Sequence, residues 1–308
     1  MDVFLTGATG FVGSVVLSRL VKAGHTVRCL VRPASRQRLE RAWATSGASV
    51  APVVGDCLDP GPLVEALSGC RAVIHLVGII REFPGAGVTF ERLHVEATGN
   101  LVRAAVLNGV DRFLHMSALG ARNDAPARYH RAKFAAEQLV ARSGLPYVIF
   151  RPSVIFGPGD DFVNRLARTI RPLLPALIPG DGRVRLQPVA VENVADGFER
   201  ALTPPGCVNR TYEVGGPRDY SLVEMFDVIG RVKGRRRVRK IHIPLAFLQR
   251  IVPHFERWRF FPLTSEQLLM LQEDNVCDPR PFLRTFAIEP VPFEAGIARY
   301  LGRRKKVG

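Results

Sequence analysis

Tyr129 and Lys133 stand four residues apart in the run Tyr129-His-Arg-Ala-Lys133. On a helix that spacing puts both side chains on one face. A lysine ammonium beside a phenol favours the phenolate and lowers its pKa from about 10 towards neutrality. A tyrosine so placed can exchange a proton with a substrate oxygen while a nicotinamide exchanges a hydride. The alternative is a surface tyrosine and a surface lysine in unrelated roles. Scarcity favours the pair: of the 43 basic residues only six are lysines, and arginine cannot stand in for a lysine that must lose or share its charge. Ser117, twelve residues before Tyr129, closes an apolar run. A hydroxyl at such a strand end can hydrogen-bond a reacting carbonyl and orient it.

A second pattern opens the chain: Thr6-Gly7-Ala-Thr9-Gly10-Phe11-Val12-Gly13, with an apolar strand before it and an amphipathic pattern after it. The first glycine permits a tight turn, the second lets backbone approach a pyrophosphate, and the third lets helix pack close to strand. The helix N-terminus then presents N–H groups and a positive dipole end to the phosphates. The pattern predicts a dinucleotide phosphate site; an ordinary helix-entry turn is the alternative.

These residues need a scaffold, and the hydrophobic periodicity supplies one. Strands are predicted near 3–5, 26–31, 49–54, 72–77, 112–116 and 147–151, with helices near 11–23, 35–45, 60–67, 89–108 and 128–143. Strand and helix in alternation predict an α/β fold: a Rossmann-type, doubly wound parallel sheet. A further strand over 183–191 leads into a helix over 192–202, and 212–214 forms a short sheet strand. Residues 157–182 are rich in proline and glycine around a helix over 162–174. Beyond 221 come a helix, a strand over 238–243, and helices over 245–252, 265–271 and 293–301. The expected division is a dinucleotide-binding domain over 1–156, completed by 183–215, and a smaller substrate-binding lobe over 157–182 and 216–308.

Composition narrows the classes. The chain has 308 residues, 47% hydrophobic, and no run long enough to span a membrane. Its first residues read as a strand rather than a signal peptide. A cytoplasmic location is expected, with peripheral attachment at an inner membrane face left open. Cys29, Cys57, Cys70, Cys207 and Cys277 show no paired spacing, so neither a metal centre nor a disulfide framework is expected. The net charge is +15, and about ten of the excess charges follow residue 229. No nucleic-acid motif accompanies them, and a solvated basic surface, an anionic membrane or an acidic protein partner remain open. The segment His242–Phe261 mixes Phe247, Leu248, Phe255, Trp258, Phe260 and Phe261 with Arg250, Arg257 and Arg259. Lobe core and an interfacial helix both fit that pattern.

The glycine turn, Ser117, the Tyr129/Lys133 pair and Arg151-Pro-Ser-Val-Ile-Phe-Gly-Pro-Gly159 together resemble an extended or atypical short-chain dehydrogenase/reductase of the epimerase/dehydratase-like type. The resemblance covers essentially the whole chain. Val77-Gly-Ile-Ile80, Gly157-Pro-Gly-Asp-Asp-Phe-Val-Asn164 and Leu263–Asp278 resemble the group that contains the nucleotide-binding accessory subunit of respiratory complex I. The family resemblance implies Asp56, with Cys57 beside it, at the adenine, and Val77 and Gly78 along the adenosine. It also implies Lys133 on the nicotinamide ribose, and Pro152 and Val154 at the nicotinamide amide. Tyr129 would then be acid/base, with Ser117 and Lys133 its catalytic partners. The substrate would be a small molecule bearing a carbonyl or hydroxyl, with a lipophilic one left open.

The cofactor can be argued directly. NAD-preferring sites end the second strand with an acid that binds the ribose hydroxyls. Here that end reads Leu30-Val31-Arg32-Pro33, with no acid before Glu40. A cation there suits a 2′-phosphate, so NADP(H) is expected over NAD(H). One departure from the family stands out. Extended members carry Asn where this chain has His94, and that Asn orders the proton relay behind the lysine. A nucleotide-sugar epimerase or dehydratase and a non-catalytic NADPH-binding assembly subunit therefore remain alternatives, as does a peripheral protein acting on quinone or lipid.

Overall fold

The computed structural model describes residues 1–43, 49–256, 258, 261 and 263–302. Seven strands form the central sheet: β1 (Asp2–Thr6), β2 (Thr26–Val31), β3 (Val50–Val54), β4 (Ala72–His75), β5 (Arg112–Met116), β6 (Tyr147–Pro152) and, late in the chain, Arg210–Val214. Their order is Arg210–Val214, β6, β5, β4, β1, β2, β3. The pairs β1–β2, β2–β3, β1–β4, β4–β5 and β5–β6 are all parallel. Strand order reverses at β1, the switch point at which sheets of this kind bind ligands beyond their carboxyl ends. The intervening helices are α1 (Phe11–Lys22), α2 (Pro33–Trp43), α3 (Gly61–Leu67), α4 (Ala97–Leu107) and α5 (Arg128–Ala141). Crossovers of that size are what parallel pairing requires. With both sheet faces covered, the inner strands are apolar throughout: Val3, Phe4 and Leu5 of β1 are fully buried, as are Ala72, Val73 and Ile74 of β4.

The chain divides into two units. The first comprises Met1–Pro152, Val194–Glu213 and Arg280–Ile288; the second comprises Ser153–Asn193, Val214–Pro279 and the residues from Glu289 onward. Residues 183–193 thus fall in the second unit and 280–288 in the first, the reverse of the sequence assignment. The short helix Arg280–Thr285, not anticipated, carries Phe282 against Phe150 of β6 at a ring distance of 5.6 Å, and Phe286 follows at 5.4 Å. Arg200 ties this segment down by donating to the carbonyls of Phe286 (2.8 Å) and Ala287 (2.6 Å).

The predicted strand over 183–191 is split. Arg185–Leu186 pairs antiparallel with Tyr220–Ser221, whereas Val189–Ala190 pairs in parallel with β7 (Ile155–Phe156). Pro188 breaks the run because it has no N–H to donate. Gln187 meanwhile donates to the Gly216 carbonyl and accepts from the Cys277 N–H. Helix α6 (Phe162–Thr169) stops five residues short of its expected end. Pro172 bars the helical conformation at the residue before it, and Ile170 is already extended. β8 (Ala176–Pro179) and Lys240–Ile243 form a separate parallel pair. The interfacial candidate is a helix over Leu245–Phe255, with Val252 buried and Phe247 57% exposed. Arg257, Arg259, Phe260, residues 44–48 and the basic tail from 303 lie outside the described residues.

Candidate functional site

β1 runs into the glycine turn and the turn into α1. Gly7 has φ +77°, a left-handed conformation suited to glycine. A Cβ on Gly13 would lie 2.0 Å from the Gly7 carbonyl oxygen, so only glycine fits that close crossing of helix and turn. Gly10 N donates to Gly7 O at 2.9 Å, and Ser14 N to Gly10 O at 3.0 Å. Among the described residues no side chain caps α1; its first turn carries no acid, and its last turn carries Arg19 and Lys22. An uncapped N-terminus preceded by a cradle that a Cβ would fill fits a pyrophosphate. Thr9 belongs to the same turn, and Phe11 and Val12 open α1 directly after it.

Arg32 follows β2 directly and is exposed, and its carbonyl accepts from Ser35 N. Arg36 is engaged instead with Glu40 at 2.7 Å. After β3, the Asp56 carboxylate accepts from Leu58 N at 2.9 Å in a tight turn. Cys57 is buried, its carbonyl accepting from Asn100 Nδ2, and burial pushes its thiol up to about 12. Val77 and Gly78 follow β4. Pro152 closes β6, and its carbonyl accepts from Leu119 N. Val154 belongs to the second unit, where its carbonyl accepts from Val189 N.

Beyond β4 and β5 lies a polar cluster that the sequence reading only touched. Leu76 N donates to Thr6 Oγ1, which pairs with His75 Nδ1 at 2.7 Å. His75 Nε2 meets Thr98 Oγ1 at 3.1 Å, and Thr98 donates to the His94 carbonyl at 2.5 Å. Since the Thr98 proton is committed to that carbonyl, Thr98 accepts from His75 Nε2–H. His75 Nδ1 in turn accepts from Thr6 O–H. One neutral tautomer satisfies the whole chain from β1 to α4, and burial, then the Lys133 charge, push His75 down to about 3.

His94 lies in a π-helical segment, Glu91–Glu96, that leads into α4 where an uninterrupted helix was expected. Such segments recur at functional sites. Its Nε2 accepts from Ile79 N at 3.0 Å, which puts the ring proton on Nδ1, a buried atom with no partner among the described residues. Burial, then the charge of Lys133, push His94 down to about 2. His94 stacks on Phe90 at 5.6 Å and meets Tyr129 edge-on at 5.4 Å.

Lys133, 3% exposed, extends from α5 to donate to the Met116 carbonyl at 3.0 Å. It crowds Gly78, where a Cβ would lie 3.0 Å from its Nζ and 3.3 Å from His94 Nε2. Burial lowers its pKa to about 8, opposed by Glu137 one turn on. Glu137 is itself gripped by Arg151 of β6 through two hydrogen bonds of 2.8 and 2.5 Å, which fixes α5 against the sheet. Breaking such a buried pair costs about 3–5 kcal/mol.

The expected lowering of the Tyr129 pKa is not what the structure gives. Burial pushes the half-buried phenol up to about 12, because the lysine charge is turned to Met116 and desolvation dominates. Tyr129 is thus a neutral acid, suited to donating a proton. Ser117 follows β5 with its N–H on the Phe150 carbonyl, and its buried hydroxyl has no partner among the described residues. Neither ring nitrogen of His115 has a hydrogen-bond partner among the described residues, and the ring stacks on His75 at 5.5 Å.

A family model described as NAD(P)H-binding matches residues 7–163. The chain is 26% identical to the mitochondrial NADH-ubiquinone oxidoreductase 40 kDa subunit of Neurospora crassa, over 96% of this chain and 77% of that one. It is 27% identical to a 2-alkyl-3-oxoalkanoate reductase of Stenotrophomonas maltophilia, over 97% and 98% of the two chains. Its fold is that of a nucleoside-diphosphate-sugar epimerase from Staphylococcus aureus, with a TM-score of 0.76, 19% identity, and coverage of 97% of this chain and all of the other.

Proposed function

The chain belongs to the NAD(P)H-binding family, and we propose that it uses NADPH to reduce a carbonyl on a small substrate. The observation that carries this reading is that Tyr129, a Ser117 hydroxyl unpartnered among the described residues and a buried Lys133 fall in the same unit. When bound, the reduced nicotinamide supplies the hydride. The turn from Gly7 to Gly13 holds the pyrophosphate, Arg32 takes the 2′-phosphate, and Asp56, Cys57, Val77 and Gly78 flank the adenosine. Pro152 meets the carboxamide and Lys133 the ribose. Tyr129 gives its proton to the substrate oxygen while Ser117 orients that oxygen. With the Lys133 ammonium turned to Met116, the phenol stays neutral until it donates, as a general acid must. The similarity to a 3-oxoalkanoate reductase suggests ketones with a neighbouring carbonyl or carboxylate as first probes.

A second reading is a cofactor-binding subunit of a respiratory-type assembly that does not turn over. His94 favours it, since its one accepting nitrogen is spent on Ile79 N–H and cannot relay a proton to Lys133. Fluorescence titration with NADPH and NADH, followed by a ketone panel, separates the two. NADPH-dependent turnover that falls at least a hundredfold in Tyr129→Phe is expected for the reductase. Tight NADPH binding with no turnover of any ketone supports the assembly subunit, and unchanged turnover in Tyr129→Phe overturns the mechanism.

A further inference from the structure

The second unit carries an apolar surface that its own elements leave bare. In the parallel pair of β8 and Lys240–Ile243, Leu177 stands opposite Ile241. Ala176 and Ile178 turn inward, 1% and 0% exposed, and join the core of that unit. Alternation along a strand then turns Leu177 outward. It is 57% exposed and Ile241 51%, and Leu173 and Leu174, just ahead of β8, are 87% and 56% exposed. Single exposed aliphatics are ordinary; a cross-strand pair with two leucines leading into it forms a patch.

The two stretches of chain that carry the patch are free of acids. No acid occurs between Asp161 and Asp181, the stretch that contains β8, nor between Asp227 and Glu256, the stretch that contains its partner strand. Lys240 is held by Asp227 at 2.5 Å. Arg171, Arg236, Arg237 and Arg239, by contrast, are exposed and hold no ion pair among the described residues.

We propose that the outward face of β8 and Lys240–Ile243 is a docking surface for an anionic phospholipid bilayer. Leu173, Leu174, Leu177 and Ile241 enter the interface between headgroups and acyl chains, and the flanking arginines meet lipid phosphates. A soluble anion would engage the arginines and leave the aliphatic side chains in water. Among the described residues no helix is long and apolar enough to cross a membrane, so this attachment is peripheral. The surface lies within the second unit and does not depend on the cofactor reading.

The test is sedimentation of the full chain with phosphatidylcholine vesicles and with mixed phosphatidylcholine–phosphatidylglycerol vesicles, at low and high salt. Binding to the mixed vesicles only, weakened by salt, is expected. The triple variant Arg236→Gln/Arg237→Gln/Arg239→Gln should lose about fivefold per arginine at low salt. Leu177→Ser/Ile241→Ser should lose about tenfold or more. Both are surface variants, and unchanged circular dichroism and melting confirm their folding. Failure to sediment with the mixed vesicles overturns the proposal. So does full retention by the serine variant, which would leave the aliphatic side chains out of the contact.

Discussion

The Lys133 ammonium donates to the carbonyl of Met116 across 3.0 Å, joining α5 to the end of β5. That bond turns the charge away from the Tyr129 phenol and holds it in a place that strips its water. Burial lowers the Lys133 pKa from 10.5 to about 8. The unfolded chain therefore holds this proton more tightly than the folded one. The cost to stability is fully present below pH 8 and vanishes as pH rises through 10.5. A shift of that size corresponds to about 3 kcal/mol.

Lys133→Met should accordingly stabilise the chain at pH 7 and lose that advantage at pH 10.5. Urea unfolding at the two pH values measures it. NADPH binding should weaken in the same variant, separating a functional charge from a structural one.

Gly13→Ala is expected to weaken NADPH binding by about tenfold or more, about 1.4 kcal/mol. The obstacle is backbone, the Gly7 carbonyl 2.0 Å from the new methyl, so no side-chain rotation relieves it. Fluorescence titration against NADPH reads the loss directly.

Arg32→Glu should reverse the cofactor preference. Removing a charge-assisted bond to the 2′-phosphate costs about 1.5–3 kcal/mol, and the carboxylate offers a partner to the ribose hydroxyls of NADH. Equal loss towards both cofactors would mean that Arg32 does not read the 2′-phosphate.

Acid should unfold the first unit from within. His75, His94 and His115 are all held neutral by burial, with His75 pushed down to about 3. As pH falls from about 6.5 towards 3, the unfolded chain takes up protons that the folded chain refuses, and each ring removes about 1.4 kcal/mol per pH unit. His115→Leu, which replaces a ring whose two nitrogens have no partner among the described residues, should shift the acid unfolding midpoint downward. An unshifted midpoint would assign acid sensitivity to the carboxylates.

Residue type made the glycine turn and the parallel sheet legible, because each rests on a steric or periodic demand written locally in the chain. The Tyr129/Lys133 spacing was legible in the same way, but its electrostatics were not. Whether a lysine charge faces a phenol or a carbonyl depends on how deeply both are buried, and burial is set by strands far away in sequence. His75 ends the apolar run of β4, a polar residue that might have drawn notice. Its two threonine partners come from β1 and α4 and left no joint signal. The π-helical register at His94 has no compositional mark. Pro188 was a visible break in the strand over 183–191, and the amphipathic alternation around it masked that break.

The segment Arg280–Ile288 bears on how the molecule is made. Phe282 and Phe286 cover Phe150, yet they leave the ribosome only after two segments of the second unit, Ser153–Asn193 and Val214–Pro279. The dinucleotide-binding unit therefore cannot mature during translation as a self-contained N-terminal body. Phe198 and Tyr212 reach Phe150 earlier, but the faces that Phe282 and Phe286 cover stay bare until residue 288 has emerged. A nascent chain halted ahead of Arg280 would keep the glycine turn and still present an open hydrophobic wound. Cutting the chain at 152 to obtain a minimal cofactor-binding fragment would have the same result.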